Sequence, residues 1–216
     1  MGARYGKFCT LASLILIIIF TTTRAEASVM SIGVGAFGPG STLSTFTGIP
    51  DGTEVNGLTV NGILYSYSLG NGQLIMDAGP GITNNIAPQN IVSIGNNTGV
   101  LTLTFPTPIS MFGYGYAILN VTTVTATTIT VFDGATNVGS LPYIGAPDPT
   151  FTGGFAGIAS TIPFTSASLT FNSIAAPAFA LDNVRTGTVV SAPEPSAALL
   201  LGTGLGVLWF RRRMRP

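Results

Sequence analysis

Through the middle of the chain, apolar and polar positions alternate. In 100–105, Leu101, Leu103 and Phe105 fall on one side of an extended segment, and Thr102 and Thr104 on the other. The same period of two runs through 127–132 and 167–171, as expected of strands with one buried face. Further strands are predicted over 30–37, 58–69, 73–77, 109–119, 155–160 and 178–186. Turn-forming strings separate them: Pro50-Asp51-Gly52, Asn61-Gly62, Asn71-Gly72, Gly79-Pro80-Gly81, Asp133-Gly134 and the 147–149 loop. No stretch keeps a helical period over three turns. The 28–190 region is therefore expected to be one all-β domain, an antiparallel β-sandwich or jelly roll.

Both ends break this pattern. Residues 1–27 read as a signal peptide: Arg4 and Lys7 precede an apolar run over 11–20, and Ala25-Glu26-Ala27 offers a small-residue cleavage site. At the other end, 191–216, Pro193-Glu194-Pro195 leads into an apolar stretch over 196–210. Arg211, Arg212, Arg213 and Arg215 follow. Fifteen helical residues span about 22 Å, short of the roughly 30 Å of a bilayer core. The arginines act as a stop-transfer cluster that stays cytoplasmic, placing the central domain across the membrane. A helix is expected at each end.

This C-terminal layout resembles the sorting segment of PEP-CTERM proteins, whose defining triplet, apolar helix and Arg-rich tip it matches over about 23 residues. The resemblance implies a protein exported by an exopolysaccharide-producing Gram-negative bacterium through the Sec machinery. It also implies a tail recognised near Pro193, Glu194 and Pro195 by an exosortase-type processing enzyme. Until that cut, the C-terminal helix would hold the precursor in the membrane. The second half of the domain is similar to the sandwich domains that precede such tails, through Phe112-Gly113-Tyr114, 130–134 (TVFDG), 155–160 (FAGIAS) and 179–184 (FALDNV).

Charge narrows the chemistry. Only 7% of residues are charged, and eight basic balance eight acidic groups. Seven of the basic residues lie at the ends, so 28–192 holds Arg185 against Asp51, Glu54, Asp77, Asp133, Asp148 and Asp182, a net charge of −5. That excludes a phosphate-binding basic groove, so nucleic acid is not an expected partner. Without His, Lys or Cys in the domain, His-based triads, Schiff bases, thiol nucleophiles and the usual zinc sites are excluded.

Gly33-Val34-Gly35-Ala36-Phe37-Gly38 spells a dinucleotide fingerprint. Pro39-Gly40 follows at once and no βαβ unit surrounds it, so it reads as a glycine-rich strand or turn. Phe112, Tyr114, Tyr116 and Ile118 share one face, opposite Gly113, Gly115 and Ala117. Core packing explains that row better than a sugar-stacking platform. No cofactor is required; calcium held by Asp133, Asp148 or Asp182 stays open, since turn carboxylates can converge on a hard cation. Asp51 and Glu54 are the remaining acid pair, yet one turn carries both without opposed placement. The expected function is a non-enzymatic exported surface or extracellular-matrix protein, associated with exopolysaccharide or biofilm. The alternative is a calcium-assisted carbohydrate-binding module.

Overall fold

A computed structural model describes residues 28–94 and 97–188, and the two expected flanking helices lie outside them. Eleven strands form one antiparallel network: β1 (Val29–Ser31), β2 (Thr42–Ser44), β3 (Thr59–Val60), β4 (Ile63–Tyr67), β5 (Leu74–Asp77), β6 (Asn90–Ser93), β7 (Leu101–Ile118), β8 (Val124–Asp133), β9 (Thr136–Pro147), β10 (Thr152–Phe171) and β11 (Phe179–Gly187). The all-β, antiparallel expectation holds. Among the described residues no helix is long and apolar enough to cross a membrane.

Two long strands turn the network into a sandwich. The first halves of β7 and last third of β10 pair with each other through Leu101↔Leu169 to Thr104↔Ser166, and β4, β8 and β9 extend this first sheet. Their other halves pair again from Met111↔Ala159 to Ile118↔Thr152, with β11, β6, β5 and β1 completing a second sheet. Register shifts between Ala159 and Phe164 and around Ile109 mark the corner. Pro106, Pro108 and Pro163 lie there, where a missing N–H costs no ladder bond. The alternation in 100–105 and 109–119 thus belongs to one continuous strand, and 155–160 and 167–171 to another. β2, β6 and β9 lie outside the strands that the alternation predicts.

The core fills the space between the sheets. Its largest wholly buried side chains are Tyr65, Tyr114, Tyr116, Phe46, Phe112, Phe164 and Phe179. Each such ring contributes on the order of 1.5–3 kcal/mol by burial. Phe171 stacks on Phe179 with centroids 3.7 Å apart. The second sheet is covered on its outer face as well: β7 is buried at every position from Ile109 to Ile118. At the corner end of this sheet, Met30, Ala159, Met111 and Gly187 form one cross-strand row, so Met30 and Gly187 lie at the same end, about 14 Å apart.

Candidate binding groove

The small residues of the second sheet explain its outer cover. Phe112, Tyr114 and Tyr116 point inward, with ring centroids 5.7 and 6.1 Å apart along the row. Tyr114 and Tyr116 are 0% and 1% exposed. The Tyr114 hydroxyl donates to Thr127 Oγ1 at 2.6 Å, which itself donates to the Thr170 carbonyl. Burial pushes the Tyr114 phenol well up, and that of Tyr116 to about 12. This row is core and offers no platform to a sugar. Gly113, Gly115 and Ala117 face outward, and a Cβ on Gly115 would collide with the Asn85 carbonyl. Close approach of the 79–90 segment therefore depends on glycine at that position.

Three carboxylates hold that segment at three places. Asp51 accepts from Gln89 Nε2. Asp148 Oδ2 accepts the Asn84 N–H at 3.1 Å, and the Asp148 carbonyl accepts from Thr83 Oγ1. Asp182 Oδ2 accepts the Ala87 N–H at 3.0 Å. Beside it, Asn183 Nδ2 donates to the Asn85 carbonyl at 2.6 Å. Asn84, Asn85 and Asn183 all have positive φ, a conformation in which asparagine is enriched.

Asp182 is 2% exposed. Desolvation raises its pKa from 3.8 to about 6, against the lowering effect of the Ala87 and Asn183 N–H groups. Its Oδ1 has no hydrogen-bond partner. Of the other acidic residues, Asp133 is exposed at the tip of the β8–β9 hairpin, opposite Thr136. Asp133, Asp148 and Asp182 are therefore not brought together. Among the described residues no three His, Cys, Asp or Glu side chains gather to hold a metal ion. Asp51 and Glu54 also diverge in use, for Glu54 Oε2 accepts the Gly72 N–H at 2.9 Å. The glycine-rich 33–38 string forms a 3-10 turn over Val34–Ala36.

Where the 79–90 cover ends, a groove opens. Pro80, Val92, Leu119 and Phe151 form its apolar walls, the nearly buried Ala117 and Ala180, packed with Ile86, lie at its floor, and Asp77 is among its lining residues. Its volume is about 270 Å³. A second recess of about 330 Å³, lined by Leu119, Asn120, Val121, Thr122, Thr150 and Phe151, continues from it. Leu119 and Phe151 are common to both. Leu119 is 52% and Val121 68% exposed, an apolar strip left uncovered. Asp77 is the one charged group among these lining residues, so the groove offers apolar contact and neutral hydrogen bonding rather than acid–base chemistry. Asp77, Pro80, Ala117, Ile118 and 178–180 lie in turns and strands that the sequence marks, but they come from separate elements, and nothing in the sequence joins them to one another or to Phe151.

No family model matches the chain, and no curated protein matches it. Among solved structures, a mutant of the carbohydrate-binding module CBM29-2 aligns with 79% of this chain and 99% of its own, at 9% identity and a TM-score of 0.37. A family 29 carbohydrate-binding module aligns with 80% of this chain and 98% of its own, at 10% identity and 0.36. The enzymatically active domain of bacteriophage CBA120 tailspike protein 4 aligns with 62% of this chain and 22% of its own, at 20% identity and 0.36.

Proposed function

We propose that the protein is a non-enzymatic, exported component of the cell surface or extracellular matrix, and that its β-sandwich holds polysaccharide. The observation that supports this is the groove beside Phe151. An apolar floor, a ring at the side and neutral polar groups match the apolar face and hydroxyls of a sugar ring. A single lining carboxylate leaves it without the opposed pair that glycoside hydrolysis uses. Calcium is not needed for binding of this kind.

Delivery follows from the ends of the chain. Sec-dependent export would end with cleavage after Ala27. An exosortase-type enzyme would then read Pro193, Glu194 and Pro195 while Arg211, Arg212, Arg213 and Arg215 hold the apolar segment in the membrane. The test is electrophoresis of the full chain through native gels containing a neutral β-glucan, a galactomannan or alginate. Retardation by a neutral glycan supports the reading, and unchanged mobility in every gel ends it. Mass spectrometry of the protein from its host tests the delivery. A product starting at Ser28 and lacking Phe210 is expected, and one retaining Phe210 and the arginines removes the sorting claim.

A further inference from the structure

The outer face of the first sheet carries no charge. Ser66, Thr102, Ser168, Thr130 and Ser140 form one cross-strand row, a hydroxyl from each of β4, β7, β10, β8 and β9. At about 4.8 Å per strand the row is about 19 Å long. A flanking row holds Leu64, Thr104, Ser166 and Phe132, and another holds Thr170, Thr128 and Pro142. The hydroxyls are ordered by one another. Ser140 donates to the Ile129 carbonyl at 3.2 Å, which leaves Thr130 to donate to Ser140 at 2.9 Å. Thr102 and Ser168 lie 3.3 Å apart.

We propose that this face is a second polysaccharide-contacting surface, so that one domain bridges two neutral glycan chains. The proposal rests on the groove reading above and adds a site on the opposite side of the sandwich. With the Thr130 and Ser140 protons already donated within the sheet, the oxygens keep lone pairs that accept from sugar hydroxyls, so the partner can be matched along a row without burying a charge. Ordinary domains spend roughly a quarter of their residues on charged side chains, mostly at the surface, whereas the one charged residue in these five adjacent strands is Asp133, at the hairpin tip beyond the row. The surrounding domain has six acidic groups and one basic, a field that repels acidic polymers and leaves neutral ones unaffected. A second copy of the chain is a poorer occupant, because the face lacks the apolar centre of a stable protein interface. Two faces turned in opposite directions make the molecule bivalent, which lets it cross-link a matrix without assembling first.

The test uses the full chain with a soluble neutral β-glucan, read by native-gel retardation for binding and by light scattering for bridging. The wild type is expected to be retarded and to raise scattering only when glucan is present. The double variant T130E/S168E is expected to stay retarded through the groove while its glucan-dependent scattering falls at least fivefold. The pair T130S/S168T, which keeps both hydroxyls, should scatter like wild type. S66E/S140E, at the ends of the same row, repeats the test should the first variant not fold. Wild-type scattering by T130E/S168E or S66E/S140E overturns the second surface and leaves the groove standing. Scattering that needs no glucan and is lost in these variants assigns the face to a second copy and also overturns it. An unretarded wild type removes both surfaces.

Discussion

Asp182 receives the Ala87 N–H on one carboxylate oxygen, at 3.0 Å, while its other oxygen is buried without a partner. A charge in that position is costly and a proton is favoured, which is why the folded-state pKa rises to about 6. The folded chain therefore holds this proton more tightly than the unfolded one. The associated stability is fully present below pH about 4 and is lost as the pH rises through about 6. The loss is at most about 3 kcal/mol, or roughly 5–10 °C for a domain of this size. Thermal unfolding should show Tm falling between pH 5 and 7.5 in wild type. D182N, neutral throughout and still accepting from Ala87, should flatten that slope; an unchanged slope would place the titrating group elsewhere.

Gly115 should not tolerate a side chain. G115A drives a Cβ into the backbone carbonyl of Asn85, and neither strand nor cover can yield cheaply. A loss of about 1–3 kcal/mol is expected in denaturant unfolding, with faster proteolysis within 79–90. Nothing lies within 4 Å of a Cβ at Gly35, so G35A should stay within about 0.5 kcal/mol of wild type.

Tyr114 separates core from platform. Y114F removes a buried hydroxyl but leaves Thr127 donating to Thr170, so it should cost about 1 kcal/mol. Glycan retardation should not change, because the ring is fully buried. Weakened retardation at unchanged Tm would overturn that placement.

Phe151 borders both recesses, so F151A should weaken retardation in neutral-glycan gels about 5–10-fold, roughly 1–1.4 kcal/mol. Its backbone carbonyl still accepts from Asn84 Nδ2, so the loop should remain in place. Equal retardation of variant and wild type would move the site out of the groove.

The strands were legible where one face meets water. Thr102, Thr104, Thr128 and Thr130 alternate cleanly because the first sheet is open on one side. Pro106, Pro108 and Pro163 obscured the two longest strands, because proline reads as a break wherever the pairing that would excuse it is unknown. β9 was hidden by Gly139, Pro142, Gly145 and Pro147, which on an edge strand serve as protection against further pairing. β6 is buried at three of its four positions, with only Val92 partly open, and lost its alternation for that reason. Asp182 is buried in a strand between the apolar Ala180 and Val184. Its partner Ala87 is 95 residues away, and only the folded chain brings the two together.

The row of Met30, Ala159, Met111 and Gly187 also fixes an orientation. Ala180, in the groove floor, is seven residues up β11 from Gly187, about 20 Å at the rise of a strand. Whatever grips the chain beyond Gly187 therefore grips it by the near end, and the groove is carried at the far tip like a hook on a boom. A chain tethered by its tail would reach outward with its groove, and a load taken up there would run back through β11 to the anchor.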